Sequence, residues 1–253
     1  MTKKFLSIVI PCYNEEANLK RNVLYEVHNF LKQKDFSWEV IISDDGSTDT
    51  SREIIRKQIK GLKNFKLIRN KHAGKPSALF QGLKEGNGDW VLFTDMDQST
   101  PINELDKLLP FTKTHCAIIG SRGLERKDFS LYRKLGSIVF LTFRRLLILP
   151  EIKDTQCGFK LFKRNDLSKA FPELEFFKTQ QRTQGWKVTS YDVELLHILK
   201  KNGCKIKEVE VIWNDKDVSK NKGSGLSRYI RESKEMFTQI LRVKINDMKG
   251  LYG

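Results

Sequence analysis

Short apolar runs alternate with longer amphipathic stretches through the first half of the chain. Phe5–Pro11, Trp38–Ser43, Phe65–Arg69, Asp89–Thr94 and His115–Gly120 each have an apolar centre of strand length. Between them, Glu15–Gln33 sets Leu19, Val23, Val27, Phe30 and Leu31 at helical spacing. Thr48–Lys60, Pro76–Glu85 and Ile102–Phe111 read as further helices, with Pro76 suited to a first turn. Strands this apolar, separated by helices, predict an α/β fold: a mainly parallel sheet with helices on both faces. In such sheets ligands bind beyond the carboxyl ends of the strands.

The second half is less regular. Leu131–Leu149 reads as a helix, "DTQCGFKLFKR" (Asp154–Arg164) as a loop running into a strand, and Tyr191–Lys201 as a helix. Lys205–Trp213 reads as a strand carrying Ile206, Val209, Val211 and Trp213. A polar loop, Asn214–Gly225, reads as mobile and precedes an amphipathic helix from Leu226 to about Met248.

Composition narrows the picture only in part. With 253 residues, 39% hydrophobic and 30% charged, the chain can bury a full core. No run approaches the roughly 18 apolar residues of a membrane span. The opening MTKKFLSIVIP has neither a signal-type apolar region nor a cleavage site, so a cytoplasmic protein is expected. Cys12, Cys116, Cys157 and Cys204 lack metal spacing and read as reduced thiols. The net charge of +15 favours polyanions: nucleic acid, an anionic membrane face or a phosphorylated substrate.

The predicted strand ends decide more. They carry Pro11-Cys12-Tyr13-Asn14-Glu15, Asp44-Asp45-Gly46-Ser47-Thr48-Asp49 and Asp95-Met96-Asp97, which a parallel sheet brings to one rim. Asp95 and Asp97, one residue apart at the mouth of an apolar strand, suit a hard divalent ion such as Mg²⁺ or Mn²⁺. The plainer alternative is one aspartate capping the next helix and the other in solvent. Gly46, Ser47 and Asp49 fit an ordinary helix entry, which leaves Asp44 without a structural reason. An acidic rim repels a phosphate backbone, so a nucleic-acid partner is disfavoured despite the basic total.

Five segments, "IVIPCYNEE", "IISDDGSTD", "FTDMDQSTP", "DTQCGFKLF" and "YDVELLHILKKNGCKIKEVEVIW", occur in this order. Together they resemble the family 2 inverting glycosyltransferases of the GT-A fold, in the polyprenyl-phosphate (dolichyl-phosphate) glucosyl- and mannosyltransferase branch. "DTQCGFK" and "DVELL" look most like the glucosyltransferases of that branch. The resemblance implies a GT-A domain over residues 1–213, with the basic loop and amphipathic helix of residues 214–253 packed on it. It implies Pro11, Tyr13 and Glu15 lining a nucleoside pocket, Asp44 and Asp45 on uracil or ribose, and Asp95 and Asp97 holding Mg²⁺ or Mn²⁺ on the diphosphate of a UDP-sugar. Pro76, where many relatives have glycine, weakens the case for a role of Lys75.

An acceptor of this class, a polyprenyl or dolichyl phosphate, is mostly dianionic at neutral pH, which makes a general base optional. It needs cations, and Arg122, Arg133, Lys160 and Lys163 are the candidates, with Arg122 favoured because it directly follows an apolar strand. Asp154 is a candidate base or sugar ligand, and Asp192 a substrate ligand or a helix cap. A saccharide acceptor is the alternative, and would require a base such as Asp154. Leu131–Leu149 and the final helix have apolar residues on more than one face beside Arg and Lys, which fits a peripheral helix on an anionic membrane, a core helix, or a contact with a second copy or membrane protein.

Overall fold

The computed structural model describes residues 5–123, 142–143, 145, 147–178, 191–218 and 226–252; at 226–233, 235 and 236 it describes the backbone alone. Seven strands form one sheet: β1 (Leu6–Cys12), β2 (Trp38–Asp44), β3 (Phe65–Arg69), β4 (Trp90–Phe93), β5 (Ala117–Ser121), β6 (Lys160–Lys163) and β7 (Ile206–Glu210). Their order is β3-β2-β1-β4-β6-β5-β7. β1, β2, β3 and β4 are mutually parallel, and β5 is parallel to β7. β6 runs antiparallel to both of its neighbours, β4 and β5. The expected α/β architecture is present, and the sheet is mixed at this one strand.

Successive residues of β1 face opposite sides of the sheet and feed separate cores. Leu6, Ile8 and Ile10 join Leu24, Val27, Ile55 and Leu105, which belong to helices α2 (Val23–Leu31), α3 (Ser51–Ile59) and α5 (Leu105–Leu108). Val9 faces the other way, toward α4 (Lys75–Glu85), α6 (Arg164–Ala170), α8 (Tyr191–Lys201) and α9 (Leu226–Met248). The short helices α1 (Glu16–Leu19) and α7 (Glu175–Lys178) complete the set. Glu194 of α8 binds Arg242 of α9 at 3.0 Å and accepts from the Tyr252 hydroxyl at 2.9 Å, so the C-terminal helix packs directly on the sheet's cover.

Several expectations are corrected. The helix expected over Glu15–Gln33 is two helices, because Asn22 takes a left-handed conformation (φ 60°) between α1 and α2. Ile102–Phe111 is not a continuous α-helix but α5 between two 3₁₀ segments, Ile102–Glu104 and Leu109–Lys113. Cys116 and Cys204 form a disulfide, where four thiols were expected. Parallel pairing of Ala117 with Ile206 brings the residues just before these strands together, a proximity that a separation of 88 residues conceals. Cys12 and Cys157 are free and buried. Most of Leu131–Leu149 lies outside the described residues. Among the described residues no helix is long and apolar enough to cross a membrane.

Candidate active site

Because β1, β2 and β4 are parallel, their carboxyl ends open on one rim, and β6 begins where β4 ends: Lys160 pairs with Phe93. The first two loops are laced together. The Asn14 backbone is left-handed (φ 56°), and its side-chain oxygen accepts from the backbone N–H groups of Thr48 (2.8 Å) and Asp49 (3.3 Å). Its own N–H donates to Ser47 Oγ at 3.0 Å, and that of Glu15 to Ser51 Oγ at 2.8 Å. Gly46 has φ 78°, and a Cβ there would stand 2.9 Å from the His72 backbone nitrogen. Pro11 is buried within β1 opposite Ser43, so it shapes the strand end.

Asp44 and Asp45 then take different surroundings. Asp44 is fully buried; its Oδ1 accepts from Ser47 N–H at 3.2 Å, and Oδ2 has no hydrogen bond, with Arg52 Nε 3.6 Å away. Asp45 accepts from Ala73 and Gly74 N–H at 3.0 and 2.9 Å and meets His72 Nδ1 at 2.8 Å. Burial still pushes its pKa upward against those bonds. His72 stacks on Tyr13, ring centroids 4.3 Å apart and 16° from coplanar, which makes a flat platform beside two carboxylates. His72 escaped the sequence reading; a histidine in a polar loop carries no periodic signal.

The end of β4 is an acidic corner. Asp95 Oδ1 lies 2.5 Å from the ammonium of Lys75, the residue doubted from sequence. Burial alone would lower the pKa of Lys75, but the carboxylates of Asp95 and Asp192 outweigh it and hold the ammonium charged. Asp97 accepts from Ser99 N–H at 2.8 Å; burial and then the charge of Asp95 raise its pKa. Glu15, bonded to the Asn18 amide at 2.6 Å, is pushed up to about 7 by burial and by the charges of Asp217, Asp97 and Asp95. Asp217 belongs to the segment expected to be mobile. Residues 214–218 are instead tied across the rim: Asn214 N–H to Ser99 O (2.9 Å), Arg21 to Lys216 O (2.6 Å), Val218 N–H to Asn18 Oδ1 (3.2 Å).

Such a corner is short of positive charge, which is the condition a hard cation satisfies. Among the described residues no three His, Cys, Asp or Glu side chains are grouped to cage an ion. Asp95 and Asp97 are the carboxylates of this corner that could hold Mg²⁺ or Mn²⁺, an ion that would take its remaining oxygens from water and substrate. The raised Glu15 also sets a pH dependence. Folding holds a proton there that the unfolded chain releases near 4.5, so its stabilisation is complete below 4.5 and lost as pH rises through about 7. The melting temperature is expected to fall from about pH 5 to about pH 8, and Glu15→Gln to flatten that slope; identical slopes would discount Glu15.

The loop before β6 closes the corner. A Cβ on Gly158 would stand 2.0 Å from Asp95 Oδ2, so only glycine lets residues 154–159 lie against that carboxylate. Gly158→Ala is expected to displace Asp95 and cost about a hundredfold in turnover with little change in melting temperature; unchanged turnover would show the loop yields instead. Asp154, in the same loop, is gripped by Arg122 through Nε (2.7 Å), Nη2 (2.9 Å) and the backbone N–H (3.1 Å), and by Gln156 N–H (2.9 Å). Burial alone would raise Asp154, but Arg122 outweighs it and holds the carboxyl well below the ordinary range. Asp154 is thus a firm carboxylate and a weak proton acceptor. Trp213 lies 5.7 Å from the Arg122 guanidinium.

Lys160 and Asp192 form a buried pair, Nζ to Oδ1 2.6 Å, with the ammonium also on the Cys157 carbonyl. Their charges face each other, and Asp192 reaches Lys75 electrostatically as well. Lys163, grouped with Lys160 in sequence, is exposed and pairs with Trp90 at the start of β4, away from this rim, because β6 runs antiparallel. Arg133 lies outside the described residues.

Known proteins can now be set beside this site. Residues 7–171, more than half of the chain, match the family model described as glycosyl transferase family 2. The dolichyl-phosphate beta-glucosyltransferase ALG5A of Trichomonas vaginalis is 34% identical over 98% of this chain and 75% of its own length. That of Saccharomyces cerevisiae is 33% identical over 85% of this chain and 69% of its own. Among solved structures, mannosyl-3-phosphoglycerate synthase from Rubrobacter xylanophilus superposes with a TM-score of 0.64 at 16% identity, covering 98% of this chain and 75% of that one. Glucosyl-3-phosphoglycerate synthase from Mycobacterium tuberculosis, crystallised with Mn²⁺, UDP-glucose and phosphoglyceric acid, gives 0.57 at 17%, covering 95% and 80%. The structural likenesses are of fold. The family match spans the ends of β1, β2 and β4, their carboxylates and the Gly158 loop, and the chain belongs to glycosyl transferase family 2.

Proposed function

We propose that this glycosyltransferase moves glucose from UDP-glucose to dolichyl or a related polyprenyl phosphate, with inversion, at the cytoplasmic face of a membrane to which it binds peripherally. The observation that carries the reading is the carboxylate corner at the end of β4, in a chain whose longer relatives are named dolichyl-phosphate beta-glucosyltransferases. The Tyr13–His72 platform with Asp44 and Asp45 receives the nucleoside. Asp95 and Asp97 hold Mg²⁺ or Mn²⁺, which supplies neutralising charge to the departing diphosphate. Lys75 keeps Asp95 in place.

The acceptor brings its own nucleophile, since a phosphate monoester with a second pKa near 6 is largely dianionic. That agrees with an Asp154 held ionised by Arg122 rather than poised to take a proton. Arg122 has five N–H donors and spends two side-chain N–H groups on Asp154, so the remainder are available to the acceptor phosphate. Lys160 and Asp192 act by fixing the floor of this half and the orientation of Lys75.

The test is a panel of nucleotide sugars incubated with the purified protein, a divalent ion and a short polyprenyl phosphate. Glucosylated lipid from UDP-glucose alone, abolished by a chelator, is expected. Undiminished transfer in chelator, or transfer only to free saccharides, would overturn the reading.

A further inference from the structure

The C-terminal helix carries two apolar faces, and among the described residues only one is packed into the core. Ile240 and Val243 of α9 are buried in the core, and Tyr252 just beyond closes over the same side. Leu241, Ile245 and Met248, at spacings of four and three, stand 46%, 49% and 78% exposed, and Leu251 continues the row at 51%. Side chains so spaced lie on one face of a helix. A helix packed on a core needs one apolar stripe; a second, turned to solvent, marks an interaction surface.

Beside that stripe is an open cavity of about 550 Å³, bordered by Arg145, Lys200, Lys201, Lys244, His197 and Asp247 and walled by the apolar residues 147–150. Its charge balance is positive. Lys201 pairs with Asp247 (2.8 Å) and Lys200 with Glu151 (2.6 Å), Arg145 donates to the Pro150 carbonyl (2.8 Å), and the burial of His197 lowers its pKa. Four permanent cations thus face two carboxylates. Lys244 stands on α9 between the cavity and the apolar row, next to Ile245 and one turn from Leu241 and Met248. Lys234 and Lys249, both exposed, extend the basic border along the helix. The cavity is separate from the carboxylate corner: Asp192 begins α8 at the active site, and Lys200 and Lys201 lie roughly 12 Å further along its axis.

We propose that this face docks on an anionic lipid bilayer, with a phospholipid headgroup phosphate in the basic cavity and Leu241, Ile245, Met248 and Leu251 in the acyl boundary. Apolar residues bordered by lysines are the pattern of an interfacial helix. Charge complementarity selects the bilayer over a second copy of this chain, because self-association would bring two basic cavities together. The inference rests on the peripheral membrane reading above and adds the face that makes the contact.

The test is sedimentation of the purified protein with phosphatidylcholine vesicles, with and without phosphatidylserine, at low and high salt. The wild type is expected to bind phosphatidylserine vesicles and to be released by salt. Ile245→Glu combined with Met248→Glu is expected to lose at least about tenfold in affinity. Lys244→Glu is expected to lose about tenfold on anionic vesicles only. Both variants should retain the wild-type melting temperature and its transfer to a short, detergent-dispersed acceptor. They alter different properties, so a folding defect in one leaves the other as the test. Wild type that binds no vesicle overturns the membrane reading together with this one. Wild type that binds while both variants bind equally well rejects this face and spares that reading. Equal binding to neutral vesicles removes the headgroup site, and a dimer dissolved by Ile245→Glu, with no vesicle binding, makes a second copy the occupant.

Discussion

Asp97→Ala is expected to reduce transfer by a hundredfold to a thousandfold, the order seen when one element of transition-state charge stabilisation is removed. The melting temperature should hold or rise. Asp97 is held at elevated pKa by burial and by Asp95, so its ionised form is a strain on the free protein and not a support. The variant also changes what excess metal can do: with one carboxylate left, added Mn²⁺ should restore little. Full turnover by Asp97→Ala would remove the acidic corner from the chemistry, and a large drop in melting temperature would make it structural. Steady-state transfer and thermal unfolding measured on one preparation separate these outcomes.

Lys160→Ala and Asp192→Ala are each expected to cost about 3–5 kcal/mol of stability, because each strands its partner's charge in the interior. Lys160 is 2% exposed, so water cannot compensate. For a domain of this size that corresponds to a fall of roughly 10 °C in Tm. Lys160→Met together with Asp192→Leu should recover most of the loss, since a well-packed apolar pair replaces a buried ion pair at little cost. Turnover should not recover with it. Asp192 is one of three carboxylates, with Asp95 and Asp97, that hold Lys75 charged, and Lys75 in turn braces Asp95. Single variants within about 1 kcal/mol of wild type in denaturant titration would mean the pair is solvated after all.

The parts of the fold legible in sequence are those where periodicity meets a single structural demand. β1 and β2 are buried on both faces, so near-continuous apolar runs announced them within a residue or two. The meeting of Asp44, Asp45, Asp95 and Asp97 on one rim follows from parallel strand direction alone. What escaped depends on conformation or on distant pairing. The break at Asn22 is one left-handed residue inside an uninterrupted apolar period. The Cys116–Cys204 bond and the burial of Lys160 depend on β6 and β7 entering the sheet beside β5, an order that no local pattern encodes. Residues 214–218 look mobile by composition, yet Ser99, Arg21 and Asn18 hold their backbone. Arg122 and Asp154 were each singled out, but their mutual grip, which settles the proton chemistry of both, is a fact of geometry.

The reversed strand β6 divides the sheet into two parallel blocks, β3-β2-β1-β4 on one side and β5-β7 on the other. Asp44, Asp45, Asp95 and Asp97 hang from the first block, whereas Arg122 and Trp213 follow the strands of the second. Gly158 and Asp154 sit on the loop that enters β6, between the blocks, where Gly158 lies against Asp95 of the first and Asp154 is bound by Arg122 of the second. If the proposed roles hold, evolution can remodel the acceptor side by altering one flank of the seam while leaving the donor side untouched. The same partition gives an engineer a natural crossover point for chimaeras between β4 and β5, since every strand of the first block ends before Ala117, where the second block begins.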